Sequence, residues 1–330
     1  MPDGLLPVLP VLLLVLAAEF VNGWTDAPNA IATVISTRVL SPSQALIMAT
    51  TLNVAGTMSG TAVAATIGKG IVRPETIDLT TVSAAMVGII LWSTFAWYYG
   101  LPTSESHALV AGLTGAGLAA AGPSALLWDG WQKVLIGILF STFLGFLVGL
   151  GIMGMLYRVL ATTRPGTVRL RFGRLQILSA AFMAFSHGSN DGQKFIGIFS
   201  LALLLGGWLP EFRIPLWVIL TCALTMGVGT AIGGWRIVRT MGLRITKLEP
   251  VQGFAAETGA ALTIELASRL GIPLSTTHTI NTAIMGVGAT RRFSAVRWGV
   301  TMEIVAAWIL TFPVCGLIAW LIMKAFMALR

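Results

Sequence analysis

Apolar runs long enough to cross a lipid bilayer recur along the whole chain, and most of its charge is confined to the short stretches between them. A spanning helix needs about 20 mostly apolar residues. The runs lie roughly at 5–23, 44–67, 79–99, 134–156, 175–185, 195–209, 216–234, 251–270 and 298–323. Only 10% of the 330 residues are charged and 55% are hydrophobic, whereas a soluble domain is about 25% charged. No polar stretch is large enough for a separate soluble domain. The sequence predicts one all-α polytopic membrane protein seated in a lipid bilayer.

The formal net charge of +8 does not point to nucleic acid, because the basic residues sit between spans rather than on a basic surface with its own fold. They form three groups: Arg158, Arg164, Arg169, Arg171 and Arg174; Arg236, Arg239, Arg244 and Lys247; Arg291, Arg292 and Arg297. The positive-inside rule puts all three on the cytoplasmic side. Met1-Pro2-Asp3-Gly4 lacks the positive segment of a cleaved secretory signal, so the first run is expected to be retained. Cys222 and Cys315 lie in apolar runs without CxxC spacing and predict packing or lipid contact, not a disulfide or thiolate metal site.

The chain resembles itself. Phe20-Val21-Asn22-Gly23-Trp24-Thr25-Asp26 lies over Phe185-Ser186-His187-Gly188-Ser189-Asn190-Asp191, Gly56-Thr57 over Gly229-Thr230, and Leu101-Pro102-Thr103-Ser104-Glu105-Ser106-His107 over Ile272-Pro273-Leu274-Ser275-Thr276-Thr277-His278. Three matches in one order predict a duplication: residues 1–157 a first transmembrane repeat, 158–174 a basic cytoplasmic loop, 175–330 a second repeat. Basic residues are denser in the second half's loops, which fits repeats of inverted topology. About ten crossings plus half-helices, with both termini outside, make that arrangement self-consistent. Inverted repeats with discontinuous helices recur in secondary transporters, whose sites lie at the repeat interface near the midplane.

Four stretches are too polar or too short to be ordinary spans: 24–39, 102–121, 186–194 and 273–290. Gly23-Trp24-Thr25-Asp26-Ala27-Pro28-Asn29-Ala30 sets an acid between a glycine and a proline and predicts a broken helix. Gly188-Ser189-Asn190-Asp191-Gly192-Gln193-Lys194 repeats the acid in register and predicts a second break. Intramembrane acids are functional candidates. The stretches from Pro102 and Pro273 place hydroxyls just ahead of a helix, a helix-start signature. Half-helix N-termini bind anions without a lysine or arginine, so two opposed ones can enclose a tetrahedral oxyanion.

The expected substrate-binding residues are Asp26, Asn29, Ser104, Ser106, Asn190, Asp191, Ser275, Thr276 and Thr277. Two aspartates beside an anion repel it unless they bind a cation or a proton, so anion and cation binding reinforce each other and symport follows. The coupling-ion candidates are Asp26, Asp191, Glu257, His107 and His278, with Na⁺ assigned to Asp26, Asp191 and Glu257 if sodium is the ion. Glu257 lies in a small-residue stretch that suits close helix approach. Glu265 falls two turns further on the same face. Glu19 and Glu303 lie nearer span ends. His187 and Asp191 have i,i+4 spacing that could serve a metal, but an intramembrane metal-dependent enzyme needs a fuller set. Lys194 is read either as an anion contact or as a residue drawn toward the cytoplasm. No phosphate-loop pattern is present, so the chain is not expected to be an enzyme or to carry a cofactor.

These motifs resemble the inorganic phosphate transporters of the PiT family, which carry a Gly-x-x-Asp-x-x-Asn-Ala signature near each repeat start and a Pro-Ser-x-Ser/Thr-His pattern. Gly23 to Ala30, Gly188 to Lys194, Pro102 to His107, Pro273 to His278 and Gly253-Phe254-Ala255-Ala256-Glu257-Thr258 carry the likeness over nearly the whole chain. Thr25 stands where many members have Asn, Lys194 where the first repeat has Asn29, and Asn53 where animal relatives have an acid, as in the shorter bacterial branch. The resemblance implies import of inorganic phosphate across the inner (plasma) membrane by symport with Na⁺ or H⁺. It leaves open sulfate as the substrate, a metal–phosphate complex as the travelling form, a cytoplasmic PhoU-like accessory protein and a homo-oligomer.

Overall fold

The computed structural model describes residues 5–329, and the expectations that rest on the first four residues lie outside that range. The chain is all-helical, and among the described residues the only β pairing is an isolated Val72–Leu126 bridge. Thirteen α-helices follow one another: α1 (Leu5–Ser36), α2 (Pro42–Thr57), α3 (Ala62–Gly70), α4 (Leu79–Tyr98), α5 (Glu105–Ala121), α6 (Trp128–Leu139), α7 (Gly145–Val159), α8 (Pro165–Leu205), α9 (Leu216–Ile232), α10 (Trp235–Arg239), α11 (Pro250–Arg269), α12 (Thr276–Arg291) and α13 (Trp298–Ala328). A π-helical turn, Phe140–Leu144, joins α6 to α7. A second, Thr240–Arg244, extends α10.

Local chemistry sets many of the starts. Ser41 and Gln44 form a reciprocal capping box at α2, and Asp78 with Thr81 does the same at α4. Such caps satisfy the amides that open a helix. Proline occupies the first turn of α2, α8 and α11, where its missing N–H costs nothing. Among the described residues five segments are long and apolar enough to cross a membrane: Val8–Ser36, Leu79–Tyr98, Glu105–Ala125, Trp128–Val159 and Trp298–Ala328. Two bent pairs, α2 with α3 and α9 with α10 and its extension, reach span length together. The long helix α8 and the later α11 and α12 are more polar, because they carry the interior of the molecule rather than its lipid face.

The breaks are displaced from the expected places. Both signature segments, 23–30 and 188–194, lie inside continuous helices, α1 and α8. The sharp bends come in the next elements, 67° between α2 and α3 and 60° between α9 and α10. Glycine in α8 serves close packing: a Cβ on Gly188 would collide with the Asn53 backbone of α2, and one on Gly192 with Thr57. Pro28 deprives the Trp24 carbonyl of its helical donor, and the backbone of Gly234 packs over that carbonyl and the Pro28 ring. The basic loop is also shorter than expected. Helix α7 runs to Val159 and α8 starts at Pro165, so Arg169, Arg171 and Arg174 sit on the first turns of a 41-residue helix.

The same contacts occur twice. Gly56 of α2 presses on the backbone of Phe185 and Ser189, and Gly229 of α9 presses on Phe20 and Trp24, the matching residues. Gly23 meets Met226 where Gly188 meets Asn53. Thr66 donates to the Gly271 carbonyl at 2.8 Å, and Thr240 to the Gly100 carbonyl at 2.8 Å. Gly100 and Gly271 have φ of 67° and 65°, the left-handed conformation that turns the chain back after α4 and α11. Extended segments then lead inward to the buried N-termini of α5 and α12.

Two apolar clusters flank a polar centre. One holds Val8 to Ala18 of α1 and Phe195 to Leu203 of α8, and the other holds Ala30 to Val34 of α1 and Ala180 to Ala184 of α8. The polar middles of α1 and α8 lie between them. The second and third basic groups meet at one end of the molecule, where the Arg297 backbone N–H donates to the Ile245 carbonyl at 2.9 Å and Arg244 pairs with Glu303 at 3.5 Å. Cys222 and Cys315 are buried, with the Cys315 thiol 3.3 Å from the Ala108 carbonyl. Glu19 is fully buried beside Asn22, in the middle of α1 rather than near its end.

Candidate functional site

Four elements converge at the polar centre: the middles of α1 and α8 and the opening turns of α5 and α12. On α1, Asn22, Asp26, Asn29 and Thr33 share one face by helical spacing. On α8, His187, Asp191 and Lys194 do the same. Ser104 and Ser275 are the N-caps of α5 and α12, each accepting from the backbone N–H of the histidine three residues on, at 3.3 and 3.1 Å. Ser106 and Thr277 are therefore the second residues of the two helices, where the Thr277 hydroxyl meets Asp26 and the Ser106 hydroxyl meets Lys194.

Bonds within the second half and bonds between the halves meet here. Thr277 donates to Asp26 Oδ2 at 3.2 Å and accepts from Asn29 Nδ2 at 3.0 Å. Thr276 donates to Asp191 Oδ2 at 2.9 Å. Lys194 donates to Asp191 Oδ1 and to Ser106 Oγ, and at 3.0 Å to the Leu274 carbonyl. Ser106 donates to that same carbonyl at 2.9 Å. An oxygen of Asp26, an oxygen of Asp191 and a nitrogen of His187 lie within 4.8 Å of one another. His187 Nε2 stands 3.3 Å from Asp191 Oδ2, while its Nδ1 lies 3.1 Å from Asn53 Oδ1. Asp26 is 3% exposed and Asp191 1%, so this conformation is closed around the site.

Not every expected residue joins it. Glu257 is held in its own buried cluster on α11, accepting from Thr33 at 2.6 Å, Gln176 at 2.9 Å and Ser179. Asn190 turns to Ser268 at 3.0 Å and the Ile272 carbonyl at 3.2 Å. His107 and His278 contact each other edge to face, with ring centroids 4.5 Å apart, and His278 stacks on Trp308 at 3.7 Å. Their rings form an aromatic cluster behind the two helix starts rather than ligands beside the aspartates. Ser104 and Ser275 act as caps, while Ser106, Thr276 and Thr277 touch the charged groups directly and Asn29 reaches them through Thr277.

Two contributors escaped the sequence reading. Glu105, at the first position of α5, accepts from Thr25 at 3.0 Å and Ser93 at 2.7 Å and so ties α5 to α1 and α4. Asn53 links His187 to Thr230, which it reaches at 3.1 Å. The helical spacing of polar residues 22, 26, 29 and 33 was the available signal that the first signature is an unbroken helix face. Two carboxylates, an ammonium and hydroxyls from two helix starts can hold a cation and an anion together in a space closed to solvent.

The chain resembles known proteins over nearly its whole length. The model of the "Phosphate transporter family" matches residues 22–171 and again 160–319. A protein of Rhizobium meliloti (strain 1021) named "Probable low-affinity inorganic phosphate transporter" is 46% identical over 303 residues, covering 91% of both chains. A Bacillus subtilis (strain 168) protein of the same name is 38% identical over 328 residues, covering 97% of this chain and 98% of its own. A solved structure described as "The sodium-dependent phosphate transporter" superposes with a TM-score of 0.88 at 24% identity, covering 98% of this chain and 99% of that one, which shows the shared fold. The chain belongs to the phosphate transporter family, a family of membrane carriers rather than enzymes.

Proposed function

We propose that the protein imports inorganic phosphate across the plasma membrane by symport with a monovalent cation, alternating access around Asp26 and Asp191. The observation that carries this reading is the start of α12, whose neighbouring hydroxyls contact both acids, Thr277 on Asp26 and Thr276 on Asp191, while the start of α5 reaches the same centre through Ser106, which accepts from Lys194. A helix start offers free amides and a positive dipole end to an oxyanion. The acids oppose that oxyanion unless a cation travels with it, which makes the binding of each favour the other. Sodium is the proposed cation, since carboxylate and hydroxyl oxygens suit a hard ion and the structural relative is described as sodium-dependent.

The duplicated contacts of α1 with α9 and α2 with α8 support a two-repeat carrier whose halves, 1–157 and 175–330, are inserted in opposite senses and exchange roles between inward and outward states. Neutral donors suit release, because charge-assisted bonds from a fixed arginine pair are roughly twice as strong. Calorimetric titration of the purified protein tests the reading. Phosphate should bind measurably with sodium present and at least ten-fold more weakly, about 1.4 kcal/mol, when choline replaces it. Equal affinity in both salts would refute sodium coupling, and tighter binding of sulfate than of phosphate would reassign the substrate.

A further inference from the structure

Asn29 and Lys194 stand at corresponding places in the two signature segments, each three residues after its aspartate. Their partners correspond as well. Asn29 of α1 donates to Thr277 of α12, and Lys194 of α8 donates to Ser106 of α5, where Ser106 and Thr277 are matching residues of the two helix starts. What differs is charge. The Lys194 side chain is 1% exposed, and its ammonium is bound by a carboxylate oxygen of Asp191, the Ser106 hydroxyl and the Leu274 carbonyl. Three oxygens of those kinds around one positive centre make the shell that a small hard cation takes.

On the other half no such cation is bonded directly. Among the described residues Asp26 forms no ion pair, and the hydroxyl of Thr277 is the donor recorded on its carboxylate. Lysine is rarely buried unless paired, and its compact ammonium on a flexible stem behaves as a point charge. An ammonium has three N–H donors, and Lys194 spends them on Asp191, Ser106 and Leu274. None is left for a phosphate oxygen without breaking one of those bonds. A purely structural strut would not need the charge, since Asn29 makes the equivalent cross-helix bond with a neutral amide.

We infer that Lys194 is a tethered cation that permanently fills the second repeat's half of the site, so that a single travelling monovalent cation, held at Asp26, accompanies each phosphate. The inference rests on the proposed phosphate symport. The site consequently works asymmetrically although its scaffold is duplicated: Asp191 stays neutralised through the cycle, and Asp26 alone gains and loses its counter-ion. Replacing Lys194 with the first repeat's residue should open a second place for a travelling cation.

The test is steady-state phosphate accumulation in proteoliposomes at zero membrane potential, against the cation gradient that drives the parent protein. The phosphate ratio then follows the cation ratio raised to the number of cations carried, so a ten-fold gradient gives about ten-fold accumulation with one cation and about a hundred-fold with two. The parent should give the first value and Lys194→Asn the second, with Lys194→Gln run in parallel against failure of one variant to fold. Equal accumulation by parent and folded variant overturns the inference, as does a folded variant that binds no phosphate at any cation concentration. The parent's value decides even if neither variant folds, because accumulation near a hundred-fold overturns the single-cation count. A parent that accumulates no phosphate at all refutes the symport reading instead.

Discussion

Thr277 donates to Asp26 and accepts from Asn29, whereas Ser104 and Ser275 spend their oxygens on capping the helices that present Ser106 and Thr277. The two kinds of hydroxyl should therefore respond differently to removal. Thr277→Val keeps the side-chain shape but deletes a hydrogen bond to a charged group, a loss of about 1.5 to 3 kcal/mol, and calorimetry should show phosphate binding weakened by roughly ten- to a hundred-fold. Ser275→Ala should cost about 1 kcal/mol of stability through the lost cap, visible as a lower melting temperature, with a smaller change in affinity. The reverse ordering would place the anion at the caps. Asp26→Asn and Asp191→Asn should each abolish accumulation while leaving membrane insertion intact, and normal uptake by either variant would remove that acid from the site. Residue identity was legible here because the acids and hydroxyls recur in register. The fate of Glu257 was not, since composition cannot tell that Thr33, Gln176 and Ser179 would enclose it apart from Asp26.

Elements were harder to read than residues. Glycine, proline and an acid between apolar runs suggested breaks at 23–30 and 188–194, yet α1 and α8 pass straight through. The reason is energetic: a glycine inside a helix costs about 0.5 to 1 kcal/mol, and the backbone approach it permits returns more when a neighbouring helix lies directly against it. Gly23, Gly56, Gly188 and Gly229 make that approach to α9, α8, α2 and α1 respectively. Sequence shows the glycine but not the neighbour, so the break and the contact look alike. Periodicity separates them, because polar residues at 22, 26, 29 and 33 keep one helix face. Gly56→Leu should then overpack the α2–α8 seam, where a Cβ already collides with the Phe185 backbone. The cost should be at least about 1 to 3 kcal/mol, read as a drop in melting temperature of the purified protein. Unchanged melting would mean that the helices are not so close.

At the scale of the whole molecule, the self-similarity that predicts two repeats also sets the order in which helices pack, and the apolar runs locate most of the spans. The bends after α2 and α9 were not legible, because Met58-Ser59-Gly60-Thr61 sits inside a run that looks continuous and Gly233-Gly234 looks like the plain end of one. Orientation follows from the basic groups, which predict that the start of α8 is cytoplasmic. Gly166 is exposed, and a side chain added there meets nothing. Gly166→Cys should resist a membrane-impermeant thiol reagent in intact cells and react after permeabilisation; labelling in intact cells would invert the topology. The central claim, that a carrier built around Asp26 and Asp191 couples phosphate to a cation, is tested most directly by radiolabelled phosphate uptake into proteoliposomes with sodium and pH gradients imposed separately. The account predicts that an inward sodium gradient drives phosphate above its equilibrium level and that Asp26→Asn abolishes this. Phosphate that merely equilibrates under both gradients, or accumulates equally in the Asp26→Asn protein, would contradict it.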